Sequence, residues 1–318
     1  MIFHAVAFTD RGMETGRTLP GLASLTRCPR GELASWTAEH WTQGEGLLFI
    51  GAVGIAVRAI APHVVKKTVD PAVLVLDESG GYVIPILSGH IGGANAAALE
   101  ISHTIGAVPI ITTATDLTGI FAVDTWAVSQ KLAIRNPETI KLVSGKLLAG
   151  KNVCLSSCFP IQGDYPQGVV KGEPGDIVIS PRKQPEGALH LVPKCVALGI
   201  GCRKGISQTA IEALYQAMNL EDAAVAGVFS IDLKKEEPGL KAFCSAHGFP
   251  FYTYSPEQLR NVPGNFSSSA FVASVTGVAN VCERAALMVG GTLWVPKTAE
   301  NGVTMAASIR EPDLTFGG

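Results

Sequence analysis

The sequence lacks a long apolar stretch and an excess of basic charge. Its longest apolar run, residues 47–57, ends at Arg58 and is well short of the ~20 residues that a membrane-spanning helix needs. The formal net charge is −2, and no block of basic residues is present. The sequence therefore predicts neither a membrane protein nor a partner of nucleic acid.

Cysteine pairs and targeting signals are also missing. The seven cysteines, at 28, 154, 158, 195, 202, 244 and 282, form no CxxC pattern, which is typical of reduced thiols in the cytoplasm. Residues 1–10 combine no basic segment with a long apolar one, so we expect no secretory signal. Cys154 and Cys158 alone do not make a closed zinc site, and no metal site is expected.

Hydrophobic residues make up 47% of the chain, which is enough for sizeable buried cores. Short apolar runs alternate with helical segments, and this alternation is typical of an α/β fold. Strands are expected at 2–8, 47–50, 73–76, 82–87, 108–111, 196–200, 225–230, 251–254 and 293–295. Helices are expected at 94–105, 207–218, 238–247 and 279–289. Residues 77–81, between two of the strands, predict a β-hairpin.

Glycine and proline become frequent between 163 and 193, where helical periodicity disappears. The alternation of strands and helices resumes at Cys195. We therefore expect two α/β domains joined by a Gly/Pro-rich connector, in which a few short strands are the alternative to an unstructured linker. The N-terminal domain covers 1–130, the connector 131–192 and the C-terminal domain 193–318.

A glycine-rich segment with a histidine, SGHIGGAN at 88–95, precedes the helix expected at 94–105. Glycine lets a backbone approach a ligand closely, and free N–H groups at a helix start favour anions. His90 adds a group that titrates near neutral pH, and Asn95 adds an amide. A tight turn explains the same residues, so spacing alone leaves both interpretations open. The spacing of Ser88 and His90 is not a serine-hydrolase signature.

Two further segments place polar side chains beside expected strands. Lys66 and Lys67 could meet anionic groups, although a solvated loop is the simpler interpretation. The segment TTATD at 112–116, which contains Thr113 and Asp116, follows a strand at the edge where open α/β sheets usually bind ligands. A capping cluster for the next helix is the alternative there.

The C-terminal half has one glycine-rich segment, at 199–205. Its last glycine comes one residue too late for a dinucleotide loop, but the segment could hold an anion beside Arg203. Cys202 could be a nucleophile, although no pattern names a base for it and most such cysteines are buried. The charged run at 231–240, which includes Lys234, is typical of a surface loop before a helix.

Taken in order along the chain, these segments carry one resemblance. Its N-terminal part consists of IGAVGIAVR (50–58), IAP (60–62), Lys67, DPAV (70–73), DE (77–78), LSGHIGGAN (87–95) and ITTATD (111–116). Its C-terminal part consists of GIGCR (199–203), LKK (233–235), EPGL (237–240) and 275–287. Together they resemble the cobalt-precorrin-5A hydrolase (CbiG) family of cobalamin, or vitamin B12, biosynthesis. Residues 1–45 and the connector carry little of the likeness.

The resemblance implies a cytoplasmic hydrolase that acts on a carbon–carbon bond in the oxygen-independent branch of the pathway. The substrate is a cobalt-bearing tetrapyrrole with a δ-lactone between a ring acetate and the carbon extruded during ring contraction. Opening the lactone of cobalt-precorrin-5A releases acetaldehyde and gives cobalt-precorrin-5B. Since the substrate carries the cobalt, no cofactor of the protein itself is expected.

This chemistry implies roles for the segments described above. His90 is the first candidate for the general base and Asp116 the second, with Ser88 and the amides of 92–95 as donors to an oxyanion. The candidate partners of the substrate carboxylates are Arg58, Lys67, Arg203 and Lys234. The other candidate substrate-binding residues are Gly92, Gly93, Asn95, Thr113 and Gly201.

Two functions from other classes are alternatives. A non-catalytic corrinoid carrier is one, because stand-alone relatives of the C-terminal domain occur in the oxygen-dependent pathway. The motifs around His90 and Asp116 favour an enzyme, and acetaldehyde release would distinguish the two. A nucleotide-dependent enzyme rests only on the irregular glycine segment at 199–205. If the protein forms an oligomer, we expect a homodimer.

Overall fold

The structure is a computed structural model and describes residues 2–66, 69–112, 120–267 and 270–316. The chain divides into two compact units, which we call the N-terminal unit (Met1–Val128 and Leu147–Ala149) and the C-terminal unit (Ser129–Lys146 and Gly150–Gly318). Each unit combines sheets with helices, so the fold is α/β with two domains, as the sequence predicts.

The N-terminal unit is built on a six-stranded sheet. Its strands are β1 (Ile2–Ala7), β2 (Leu22–Arg27), β3 (Glu45–Ile50), β4 (Ala72–Leu76), β5 (Tyr82–Leu87) and β6 (Val108–Pro109). Their order is β2-β1-β3-β4-β5-β6, and only β4 and β5 pair antiparallel. The helices are α1 (Asp10–Arg17), α2 (Leu33–Glu39), α3 (Val53–Ile60), α4 (Ala94–Ile105) and α5 (Val123–Ser129).

Helices cover both faces of this sheet, as the alternation along β3 requires. Leu47 and Phe49 pack into a cluster with α2 and α3, whereas Leu48 and Ile50 pack into another with α4. All four side chains are fully buried. A strand buried on both faces is a continuous apolar run, because neither side meets water.

The local signals at 77–81 and 94–105 produce the elements that they predict. β4 and β5 form the hairpin, in which the Asp77 carboxylate accepts the amide hydrogen of Ser79 at 2.9 Å. Helix α4 has the predicted bounds and ends at Gly106, whose φ of 74° only glycine adopts readily. The strand predicted at 108–111 is shorter and stops at Pro109.

The C-terminal unit contains two five-stranded sheets. The first has strands β7 (Leu132–Ile134), β8 (Val153–Ser157), β10 (Val169–Lys171), β11 (Ile177–Ile179) and β12 (Leu189–Pro193), while β9 (Ile161–Gln162) pairs elsewhere. The second has strands β13 (Val196–Cys202), β14 (Val225–Ile231), β15 (Phe251–Tyr254), β16 (Thr292–Glu300) and β17 (Val303–Ile309). β9 pairs with β18 (Leu314–Thr315).

Helices complete the C-terminal unit. They are α6 (Ile140–Leu148, whose end falls in the N-terminal unit), α7 (Gln208–Gln216), α8 (Pro238–His247), α9 (Pro256–Arg260), α10 (Ala270–Thr276) and α11 (Cys282–Leu287). Ser207 caps α7, as predicted, by accepting the amide hydrogen of Ala210. In the described part of the chain, no helix is both long and apolar enough to cross a membrane.

The region predicted as a connector, 131–192, carries a sheet of its own, with order β10-β8-β11-β12-β7. Its core side chains, such as Leu155, Ile177 and Leu191, are fully buried. The strands are three to five residues long and are separated by glycine and proline. Runs this short do not establish a period, so composition pointed to a linker where non-local pairing builds a sheet.

Candidate active site

The loop at 88–95 is a closed turn between β5 and α4. Gly93, Ala94 and Asn95 donate their amide hydrogens to carbonyl oxygens within 88–90, over 2.9 to 3.2 Å. In this structure these three amides hold the loop closed; the role of the amides of 92–95 as oxyanion donors stays a prediction. Asn95 is buried, and its side-chain oxygen packs against Gly89, where a Cβ would come within 2.7 Å of it.

Ser88 stabilises this loop through a hydrogen bond to the segment before β4. Its φ of 54° lies in the left-handed region, which a non-glycine residue adopts only when its surroundings hold it there. The hydroxyl donates to the backbone oxygen of Asp70 at 3.0 Å, and the side chain is buried. Because the hydroxyl has only one hydrogen and donates it in this bond, Ser88 stabilises the loop in this structure. The role of Ser88 as an oxyanion donor stays a prediction.

Two glycines allow the turn. A Cβ at Gly92 would overlap the Cβ of Ser88 and come within 2.7 Å of its carbonyl oxygen. Gly93, at the N-cap of α4, has a φ of 83°. A side chain at either position would force the loop open, so both residues shape the site.

His90 forms a part-buried hydrogen-bonded pair with Asp124. The ring Nδ1 lies 3.2 Å from Oδ1 and 3.3 Å from Oδ2 of the carboxylate. The two side chains are only 12% and 9% exposed. A carboxylate at Nδ1 favours the tautomer with its hydrogen on Nδ1, which leaves Nε2 as the basic nitrogen. The pair has the arrangement of a general base with an orienting carboxylate.

Sequence reasoning missed Asp124. The residue lies 34 positions from His90, in the first turn of α5, and no motif connects the two. An acidic residue in a first helical turn usually only complements the helix dipole, so its type and position are unremarkable by themselves. Only the fold brings it to the histidine.

The topology directs further predicted residues towards the same edge of the sheet. β5 and β6 are parallel, so the chain leaves both strands in the same direction, towards 88–95 and 110–112. Asp70, shortly before β4, accepts the Ser88 hydrogen bond through its backbone oxygen. Arg58 is exposed near the end of α3, and its guanidinium donates to the Gly54 carbonyl at 3.1 Å.

Three predicted site residues lie outside the described residues. They are Lys67, Thr113 and Asp116. Their predicted roles, including that of Asp116 as the second candidate base, stay predictions.

The C-terminal unit contains a cavity of about 1040 Å³, which we call the C-terminal cavity. It opens where β13 and β14 end and is lined further by α10 and the β16–β17 hairpin. Gly201, Arg203 and Lys234, all predicted to bind substrate, lie in its wall. Small-molecule sites usually have volumes of ~300–1,000 Å³, so the cavity is large enough for a bulky ligand.

Two charged residues that line the C-terminal cavity, Lys234 and Glu237, form an ion pair with each other. Lys234 Nζ lies 3.0 Å from Glu237 Oε2, and the other oxygen of Glu237 accepts the Gly205 amide hydrogen at 2.7 Å. Burial alone would raise the pKa of Glu237, but these hydrogen bonds lower it overall, so the carboxylate is ionised. Lys234 thus reaches the cavity as one half of a buried ion pair.

The glycines and the thiol at 199–202 are explained by packing. A Cβ at Gly199, inside β13, would overlap the carbonyl oxygen of Cys282 at the start of α11, so glycine allows helix and strand to touch. Burial raises the pKa of the Cys202 thiol to about 11. The thiol is therefore protonated at neutral pH and a poor nucleophile.

Comparison with known proteins gives matches over most of the chain. A family model described as cobalamin synthesis G N-terminal matches residues 35–116, and one described as cobalamin synthesis G C-terminus matches residues 196–308. The cobalt-precorrin-5A hydrolase of Salmonella typhimurium is 36% identical over 301 residues, 88% of this chain and 86% of the relative. That of Priestia megaterium is 31% identical over 294 residues, 83% and 78% of the two chains.

Among solved structures, a cobalamin biosynthesis protein G homologue from Sulfolobus solfataricus is 23% identical, with a TM-score of 0.41, and the match covers 97% of each chain. The segments matched by the two family models contain the loop at 88–95 and the glycine-rich segment at 199–205. Asp124 lies beyond the first of them.

Proposed function

Because this chain belongs to the cobalt-precorrin-5A hydrolase family, we propose that it opens the δ-lactone of cobalt-precorrin-5A and releases acetaldehyde, giving cobalt-precorrin-5B. It is thus a hydrolase of cobalamin biosynthesis that acts on a carbon–carbon bond. The observation that carries the chemistry is the part-buried hydrogen bond between His90 and Asp124. The cobalt is part of the substrate.

Lactone opening needs a base that activates water. With its hydrogen held on Nδ1 by Asp124, His90 takes a proton from water through Nε2 as the oxygen attacks the lactone carbonyl. The tetrahedral intermediate then breaks its bond to the ring oxygen, which leaves a carboxylate and a hydroxyl on the extruded carbon. The carboxylate of Asp124 stabilises the imidazolium that forms meanwhile.

Release of acetaldehyde is the second step. The new hydroxyl loses its proton, its C–O bond becomes a carbonyl, and the bond between the extruded carbon and the macrocycle breaks. The electron pair of that bond passes into the conjugated ring, and a ring carbon takes up a proton. After the imidazolium of the first step has released its proton to water, the neutral imidazole takes the hydroxyl proton and delivers it to the ring carbon, so one imidazole can serve both steps.

All these steps are proton transfers and bond cleavages that histidine and carboxylate groups can assist, so we propose that the protein needs no metal or cofactor of its own. Stoichiometric zinc in metal analysis of the purified protein would contradict this. The odd set of cysteines, all free, supports a cytoplasmic location, and the net charge of −2 supports the absence of a nucleic-acid partner. A homodimer stays a prediction, which analytical ultracentrifugation tests.

Acetaldehyde release under single-turnover conditions tests the proposal. We expect His90→Ala to lower the rate by about 10²–10⁴-fold, while thermal stability and corrinoid affinity persist. His103→Ala is the matched control, since His103 is exposed on α4 in the same unit. Near-normal release by His90→Ala would remove His90 from the mechanism and move Asp116 to first place.

The corrinoid-carrier alternative makes a different prediction in the same assay. A carrier would bind the substrate tightly, yet the wild-type protein would release no acetaldehyde. That result would contradict the hydrolase proposal whatever the variants do.

A further inference from the structure

The C-terminal cavity combines apolar walls with cations that have no anionic partner. Leu233 and Val275 line it and are each 62% exposed. Arg203, Lys204 and Lys297 line it as well, and among the residues that the structure describes, none of their side chains has a hydrogen-bond or ion-pair partner. Lys234, by contrast, is neutralised by Glu237.

Acidic groups on the wall do not offset these cations. The Glu236 carboxylate pairs with Lys241 at 2.8 Å, outside the lining, and Glu237 is committed to Lys234. Glu300 is the remaining carboxylate among the described lining residues, and Asn301 donates to it at 3.4 Å. The unpaired charge of the cavity is therefore positive.

Lys297 is directed at the cavity by a local break in the sheet. The register between β16 and β17 shifts between Val295 and Thr298, as at a β-bulge, which re-aims side chains. The amide hydrogen of Lys297 is donated to Oε1 of Glu283 at 2.9 Å. Glu283 is 4% exposed, and its other oxygen accepts from Asn280. A buried carboxylate thus fixes the backbone of Lys297 without neutralising its ammonium group.

The charge of Lys297 acts inside the cavity. Burial raises the pKa of the Cys282 thiol, while a hydrogen bond with Thr304 and the charge of Lys297 oppose that rise. Cys282 and Thr304 both line the cavity, so the ammonium group lies close to its inner wall. Lys297 is partly buried and lines the cavity, and a ligand carboxylate can accept from its ammonium group.

We propose that the C-terminal cavity binds the carboxylate side chains of a tetrapyrrole, with Lys297 as the residue that determines affinity for the anionic ring. Arg203 and Lys204 add charge around it, and Leu233 and Val275 contact the apolar parts of the macrocycle. The identity of the ligand as a tetrapyrrole polycarboxylate rests on the proposed function. The location of its carboxylate contact rests on the cavity, the bulge and the unpaired ammonium group.

Equilibrium binding of cobyrinic acid, a corrinoid polycarboxylate, and of its heptamethyl ester tests the proposal. We expect Lys297→Gln to raise the Kd of cobyrinic acid about tenfold or more, as for one lost charge-assisted bond, and to leave the Kd of the uncharged ester unchanged. Lys235→Gln is the control, because Lys235 is exposed and adjoins the wall without lining the cavity; it should change neither Kd by more than about twofold.

Lys297→Arg separates charge from folding. It keeps the positive charge, so it should restore most of the affinity, and thermal unfolding of both variants should stay near that of the wild type. Equal effects of Lys297→Gln and Lys235→Gln would overturn the proposal. So would a loss of affinity for the ester as large as that for the acid, since packing rather than charge would then account for binding.

These outcomes are independent of the hydrolase proposal. A protein that binds cobyrinic acid through Lys297 but releases no acetaldehyde contradicts the proposed function and supports the binding site. A Lys297→Gln variant that releases acetaldehyde with the wild-type KM contradicts the binding site and supports the proposed function.

Discussion

The hydrogen bond between His90 Nδ1 and the Asp124 carboxylate decides which ring nitrogen is basic, so the carboxylate is a positioning residue for the proposed base. An amide in its place can accept the same hydrogen but does not stabilise an imidazolium equally. We expect Asp124→Asn to lower kcat by about 10²-fold or more with little change in KM. Acetaldehyde release over a range of substrate concentrations measures both constants.

A double variant controls this prediction. If the two residues act as one unit, His90→Ala combined with Asp124→Asn should be no slower than His90→Ala alone. Losses that multiply would mean that Asp124 acts independently of the histidine.

Gly92 supports the same loop by having no side chain. We expect Gly92→Ala to lower the free energy of unfolding by about 1–3 kcal/mol, because the new Cβ would overlap Ser88. Gly54→Ala is the matched control in the same unit: its Cβ would meet only the far end of the Arg58 side chain, at 3.4 Å, at an exposed position of α3. It should be neutral or slightly stabilising. Urea denaturation compares the two, and equal losses would show that Gly92 has no special role.

Residue types were more predictable than residue partners. The glycines around His90 reveal a loop before a helix, because each has a local conformational cause. Asp124 and Lys297 have no such signal, since one meets His90 only through the packing of α5 and the other depends on a bulge held by Glu283. Lys234 was predicted to bind substrate, but the ion pair that it forms with Glu237 has no signal in the sequence.

Between the helices of the C-terminal unit, His247 acts as a clamp. At the end of α8, its Nε2 lies 2.8 Å from Glu212 on α7, and its Nδ1 lies 2.8 Å from Asp222 in the connection to β14. The ring also stacks on Phe249 with the centroids 5.0 Å apart, and Tyr215 donates its hydroxyl hydrogen to Asp222 at 2.8 Å. The clamp therefore has a packing part and a charge part.

The charge part gives the clamp a pH dependence. Burial would lower the pKa of His247, but the bonds to the two carboxylates raise that pKa overall. The charged histidine therefore contributes its full stabilisation below its ordinary pKa of 6.5, and this stabilisation is lost as the pH rises through the raised pKa. Burial would raise the pKa values of Glu212 and Asp222, but their hydrogen bonds to His247 lower them overall. The stabilisation by these two carboxylates is therefore lost as the pH falls below the ordinary pKa range of carboxyl groups. The clamp is strongest between about pH 4.5 and 6.5.

We therefore expect His247→Gln to destabilise the protein most near pH 6, with a charge part of about 1 kcal/mol, and less at pH 9, where only the packing loss remains. Urea denaturation at both pH values measures the difference. His103→Gln, on an exposed helix face, should show no such change. A loss for His247→Gln that is the same at both pH values would contradict the ion pairs.

Elements with local signals were predictable, α4 and α8 to the residue and the β4–β5 hairpin to within one residue. The turn between β16 and β17 was not predicted, although it carries the Asn-Gly pair typical of hairpins, with φ values of 49° at Asn301 and 82° at Gly302. The sheet over 131–192 was not, because its short strands are defined by their partners. The helix predicted at 279–289 begins only at Cys282, where the Asn280 side chain accepts the Glu283 amide hydrogen.

On the scale of the whole molecule, the predicted site residues fall into both units. Ser88, His90 and Asn95 belong to the N-terminal unit, whereas Gly201 and Arg203 line the C-terminal cavity. The two proposals thus place proton transfer and carboxylate binding in different units of one chain. The family resemblance predicted both groups of residues, because each lies in a string that resembles the family, but it did not assign a separate role to each group.

This division has a kinetic consequence. His90→Ala should lower kcat, because it removes a group that acts on the reacting atoms. Lys297→Gln should raise KM, because it removes a binding contact that is equally strong in the ground state and the transition state. If both units serve one turnover and the two residues share no partner, the losses in kcat/KM should multiply in the double variant, within about twofold, as independent contributions to one barrier do. Acetaldehyde release by the four proteins completes the cycle. A double variant no slower than His90→Ala would show that the C-terminal cavity takes no part in the reaction at His90.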